Sequence, residues 1–179
     1  MEICYVNQIG DKLLINIFQM FTTVIQALPA GVLVAVIAFL IIKVFEKIKG
    51  IRIKRIKQRD VIILAAYLMI LFDITIFSRK IGSVNVIDLI PFNTPGGIRY
   101  IILYALANGV MFIPFGILAP KTVGALQSTK RCLALGFLVS LLIELIQLFL
   151  KCGVVQTEDV MMNMIGIETG YWIYTKWIK

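Results

Sequence analysis

The chain has 179 residues, 60% of them hydrophobic and 16% charged, with a formal net charge of +8 and no histidine. A soluble domain of this size is about half apolar; here the excess is gathered into runs of ~17 residues or more, which excludes a soluble globular fold and predicts a one-domain membrane protein. The missing histidine excludes Ser-His-Asp and Cys-His catalysis and histidine metal sites, and the cysteines Cys4, Cys132 and Cys152 form no CxxC pair, which disfavours a zinc or redox centre.

The opening stretch, MEICYVNQIGDKLLINIF, begins acidic and lacks the basic start of a secretory peptide, so membrane insertion is expected to rely on the first span itself. Residues 1–19 are assigned to an extracytoplasmic or interfacial segment, and residues 20–179 to a polytopic membrane domain. Span one is expected from Met20 to Val44, through Pro29; the apolar stretch Leu13 to Ala27 also suits the interface. A basic loop at 43–60 follows, and its core, KVFEKIKGIRIKRIKQR (Lys43 to Arg59), holds eight of the 18 basic residues. Flanked by apolar spans, it reads first as a topology signal and second as a contact for anionic lipid headgroups. It gives no support to a nucleic-acid partner.

Span two is expected at Val61 to Phe77, with Asp73 inside it and Arg79 just beyond. Next comes NVIDLIPFNTPGG, Asn85 to Gly97, in which breakers alternate with apolar residues. Pro91 and Pro95 hold their predecessors extended, and Gly96 and Gly97 permit a tight return. Irregular backbone with this apolar content predicts a re-entrant or lid-like segment packed against the protein. The other reading is a partly buried turn.

Span three is expected at Tyr100 to Ala119; Asn108 needs an interhelical partner there, and Pro114 frees the carbonyl of Val110. Span four, Cys132 to Leu150, contains SLLIELIQ, in which Ser140, Glu144 and Gln147 share one helix face. Glu144 falls roughly 9 Å from the outer end at 1.5 Å per residue, where an unpaired charge is costly. Arg79 and Arg99 are the candidate counterions. Span five, Asp159 to Trp177, is the least apolar. Thr157 suits its cap, Glu158 and Asp159 suit its positive end, and Asn163 shares the face of Asp159. Gly166 and Gly170 form a small-xxx-small seam, and Glu168 is expected to face span three or a water-filled gap.

The expected fold is thus an all-α integral membrane protein, a compact bundle of about five transmembrane helices with a re-entrant or lid-like outer segment between spans two and three. Loop charges orient it. The 43–59 loop, the 120–131 loop with Lys121, Lys130 and Arg131, and the C-terminus with Lys176 and Lys179 fall on one side. The positive-inside rule makes that side cytoplasmic, with the N-terminus outside and the C-terminus inside.

Four pieces, in this order, resemble the VanZ-like family, whose namesake is associated with teicoplanin resistance. They are Asp88-Leu89-Ile90-Pro91-Phe92; Asn108 with Phe112, Pro114 and Gly116; Glu144 with Gln147; and Glu158-Asp159 with Asn163 and Gly166. The resemblance spans roughly Asp73 to Tyr171. Asp88 stands where the family commonly has Asn, Glu158 where Asp is more usual, and Lys151 where an arginine often precedes the acidic pair. The resemblance implies a polytopic protein of the bacterial cytoplasmic membrane.

Two functions compete. One is non-enzymatic binding of an amphiphile, a lipid-linked envelope intermediate or a lipoglycopeptide, in an outward-facing polar pocket. Its expected ligand-binding residues are Arg79, Asp88, Asn93, Asn108, Glu144, Gln147, Glu158, Asp159 and Asn163, with no cofactor and no metal. The other is a hydrolase or transferase acting on lipid-linked substrates, with Glu144 as base and Asp159 as acid or metal ligand, and magnesium as the divalent cation. A small transporter is disfavoured by five spans without an inverted repeat.

Overall fold

A computed structural model describes residues 2–88, 90 and 98–178, with side chains from residue 14 on apart from 56, 85 and 98–101. The element order is helix α1 (Glu2–Lys49), α2 (Arg55–Phe72), a π-helical turn (Asp73–Phe77), strand β1 (Val84–Asp88), α3 (Ile98–Thr122), α4 (Thr129–Leu150), strand β2 (Cys152–Gln156) and α5 (Thr157–Ile173), which ends in a second π-helical turn (Tyr174–Ile178). A short 3-10 turn, Gly124–Gln127, joins α3 to α4. Among the described residues, four stretches are long and apolar enough to cross a membrane: Leu14–Lys49, Lys57–Phe77, Ile102–Thr122 and Thr129–Leu150. The protein is an all-α, multi-pass membrane bundle, as its hydrophobic runs predict.

The fifth helix differs from the other four. It has 17 residues, ~25 Å at 1.5 Å per residue. It buries a polar and small-residue face that includes Glu158, Asn163, Gly166 and Gly170. Its most extensive packing is against α3 rather than against α4, its neighbour in the chain. A Cβ on Gly166 would run into the carbonyl of Gly109, one on Gly170 into that of Ile113, and one on Gly116 into that of Ile167. Glycines on both helices therefore let the two backbones touch, which is how helices associate where lipid removes the hydrophobic drive. Around this seam Leu71, Phe112, Phe115, Cys132, Ile143 and Ile167 form a buried core drawn from α2, α3, α4 and α5.

Helix α1 departs from expectation in length. It is one helix of 48 residues that accommodates Pro29, so the N-terminal segment and span one are continuous. At ~72 Å it exceeds a ~30 Å hydrocarbon core more than twofold. The basic loop is shorter than expected: α1 runs to Lys49 and α2 resumes at Arg55. The turn between them is stapled by Glu46. Its Oε1 accepts from the Ile53 N–H at 2.7 Å and from Gln58 Nε2 at 2.6 Å, and its Oε2 accepts from Lys43 Nζ at 2.8 Å. Glu46→Ala removes the acceptor for all three and is expected to lower stability. Thermal unfolding of the detergent-purified protein measures it, with exposed Lys47→Ala expected to match wild type.

The chain also builds a feature that its sequence does not announce. Strands β1 and β2 pair in parallel, from Val84 opposite Cys152 to Asp88 opposite Gln156. Helices α2 and α4 both finish at this end of the bundle, so the strands that leave them run the same way. Gly82 and Val84 donate N–H groups to the carbonyls of Leu150 and Lys151, fixing the register. The first part of the expected lid, Asn85 to Asp88, is therefore strand β1.

Candidate functional site

The polar face of α4 ends beneath the sheet. Ser140, Glu144 and Gln147 are each at most 3% exposed. Gln147 Nε2 donates to the Thr75 carbonyl at 3.1 Å. The π-helical turn makes that carbonyl available. Ser78 N–H reaches back to Asp73 at 2.8 Å and Arg79 N–H turns to Ile76 at 3.1 Å, so neither takes Thr75, and α4 supplies the donor. One turn deeper, Asn163 Nδ2 of α5 donates to Ser140 Oγ at 2.8 Å.

Strand β2 covers this face. Lys151 ends α4 in the left-handed region, at φ 51°, and the chain doubles back over its own helix. Gly153 then lies against Gln147 and Arg79. A Cβ there would sit 2.6 Å from Gln147 Oε1 and 2.9 Å from Arg79 Nη1. Glycine is what allows the strand, the amide and the guanidinium to close together. At the end of β2, Gln156 N–H donates to Glu144 Oε2 at 3.4 Å, and its side-chain amide donates to Glu158 Oε1 at 3.2 Å.

Charge is concentrated at this point. Glu144, Glu158 and Asp159 lie close enough to act on one another, and Arg79 acts on both Glu144 and Asp159. Asn108 of α3 faces the Asp159 carboxylate of α5. This is the interhelical partner that a mid-helix asparagine requires. Two carboxylates thus share one guanidinium, with Glu158 acting on both of them. Gln147 Oε1 and Asn163 Oδ1, both buried carbonyl oxygens, have no hydrogen-bond donor among the described residues. The site is rich in acceptors and short of donors, a state that a ligand or water bringing N–H or O–H groups would relieve.

Of the residues singled out from sequence, Arg79, Asn108, Glu144, Gln147, Glu158 and Asp159 meet here, with Asn163 one turn further in. Asp88 pairs opposite Gln156 in the sheet, and its Oδ1 accepts from the Ile90 N–H at 3.2 Å, a local turn of the Asx type. Asn93 lies outside the described residues, as does the Arg99 side chain. Two expectations are corrected. Glu168 is exposed rather than turned towards α3, the first of its two expected settings, because the seam of Gly166 and Gly170 takes the face that meets α3. The cap position of α5 is Gln156, with Thr157 its first helical residue. Among the described residues, no group of three or more metal-binding side chains assembles.

Sequence reasoning passed over Gly153, Gln156 and the Thr75 carbonyl. Gly153 carried a readable signal, a glycine inside a short β-branched run, which marks close backbone approach. The π-helical turn that releases Thr75 leaves no comparable trace in the sequence. The segment that covers Glu144 is β2, with β1 attached at its edge.

A family model described as VanZ/LLP1 matches residues 61–179, from the start of span two through α5. No curated relative and no solved structure matches the chain.

Proposed function

The chain belongs to the VanZ/LLP1 family, and on that premise we propose that it binds, without catalysis, an amphiphile of the bacterial cell envelope. The ligand is a lipid-linked envelope intermediate or a lipoglycopeptide, and the protein contributes in this way to teicoplanin resistance. One observation carries the reading: polar side chains from α3, α4, α5 and the π-helical turn converge under β2 with buried acceptors left over. Hydroxyl, amide or amine donors of a sugar or peptide headgroup satisfy such acceptors. Teicoplanin sensitivity after deletion and after expression, together with binding of lipid-linked intermediate by the purified protein, tests it. Unchanged sensitivity with no binding overturns it.

The catalytic reading keeps one observation in its favour, the proximity of Glu144 and Asp159. Turnover of radiolabelled envelope lipids, with and without magnesium, decides that point. Absence of turnover in both conditions counts against catalysis.

The site is useful to such a ligand only if the sheet end faces outward. The basic turn at the opposite end favours that orientation in the cytoplasmic membrane, N-terminus out and C-terminus in, and its lysines and arginines suit anionic lipid headgroups. In intact cells an impermeant thiol reagent should label a cysteine placed at Asn93 and miss one at Lys54, which is exposed in the basic turn. Gln58 is unsuitable as the inner position because it is buried against Glu46. The reverse labelling pattern would place the site on the cytoplasmic side.

A further inference from the structure

Arg79 and Asn108 each serve two surfaces. On one side they meet Asp159 and the carboxylate site. On the other they line a cleft of about 460 Å³ between α1 and α3, floored by the π-helical turn. That volume is within the ~300–1,000 Å³ of ordinary small-molecule sites. The walls are almost wholly apolar, with Phe21 and Val24 from α1 and Leu103 and Ala107 from α3. Phe21 and Val110, on its two walls, are exposed on the side of the bundle. The two threonines of the lining are spent locally, Thr23 Oγ1 donating to the Gln19 carbonyl and Thr75 Oγ1 to that of Leu71, and Asn108 also faces Asp159. Among the described residues, Arg79 is the one charged residue of the lining.

We propose that this cleft is a lateral port, which takes one hydrocarbon chain of a phosphate-bearing amphiphile from the bilayer and holds its phosphate at Arg79. The inference rests on the amphiphile-binding reading and adds the route and the anchor. An apolar channel that ends on a guanidinium matches a chain that ends on a phosphate, because arginine presents paired N–H donors in the geometry phosphate accepts. The carboxylates behind Arg79 stop the phosphate there by repulsion. They leave the inner acceptors to the donor-bearing remainder of the headgroup.

The test uses the full chain in phosphatidylcholine nanodiscs, with a phosphatidic acid probe that carries a diazirine in one acyl chain. Light should concentrate label on residues 17–24 and 103–111, at least about tenfold over the lipid-facing stretch 37–48 of α1, as befits a site with ~1.4 kcal/mol of preference. Unlabelled phosphatidic acid should remove that excess, and diacylglycerol, which lacks the phosphate, should not. Ala107→Trp, which fills the cleft, and Arg79→Gln should each erase it. Even labelling of both surfaces, or equal competition by the two lipids, overturns the port using wild-type protein alone. Diffuse labelling in a protein that still binds an envelope amphiphile removes the port and leaves the binding reading in place. A labelled cleft in a protein with no envelope-amphiphile binding does the opposite.

Discussion

Gly166→Leu should cost the protein its fold. The Cβ alone would overlap the Gly109 carbonyl, and backbone cannot rotate out of the way as a side chain can. The helices must separate, and separation loosens the seam along its length, because Gly170 against Ile113 and Gly116 against Ile167 depend on the same approach. Overpacking of a buried site costs about 1–3 kcal/mol, and occasionally more. A leucine between two touching backbones belongs at the top of that range. The damage reaches the site directly. Asn108 on α3 and Asp159 on α5 face each other across this interface, so spreading the helices parts the pair. Size-exclusion profiles and thermal unfolding of the purified protein measure the effect. Gly166→Ala should be intermediate. Gly124→Leu, where an added Cβ meets nothing within 4 Å, should behave as wild type. A monodisperse Gly166→Leu protein of wild-type stability would show that α3 and α5 do not meet as described.

The same seam shows where sequence reasoning reaches and where it stops. Gly166 and Gly170 are legible because four-residue spacing puts both on one helix face. Their partner is not legible. A short connection argued for α4 as the neighbour of α5, and α4 does touch it through Ser140 and Asn163. The closest backbone contact nevertheless goes to α3, whose Gly109 and Gly116 are seven residues apart and carry no GxxxG signal. Helix identity follows from hydrophobic runs, a local property. Strands β1 and β2 escape because each is five residues long and its partner lies across two helices. Most of the polar constellation was legible because polar groups inside apolar spans are expensive wherever they occur. The part of its cover that β2 supplies escaped, since Gln156 sits in a stretch too short to display a pattern. Asp88 drew attention as a carboxylate among breakers, and its contact is a local turn.

Glu144→Gln should leave the protein folded and weaken ligand binding by roughly ten- to a hundredfold. The fold survives because the amide keeps an oxygen for the Gln156 N–H. Its new N–H groups face a neighbourhood that includes the Asp159 and Glu158 carboxylates, both able to accept. Binding suffers because the negative charge that strengthens a hydrogen bond from the ligand is gone. A hydrogen bond to a charged group contributes about 1.5–3 kcal/mol, and each 1.4 kcal/mol is tenfold in Kd. If Glu144 instead serves only to tie α4 to Arg79 through charge, the pattern inverts. Stability then falls in Glu144→Gln, and Arg79→Gln lowers it by a similar amount, while any protein that still folds binds normally. Thermal unfolding and binding of lipid-linked intermediate, measured on the same purified variants, separate the two. A well-folded Glu144→Gln protein with wild-type affinity would remove the charged carboxylate from the site and leave Gln147, Asn163 and Arg79 as its remaining polar contacts.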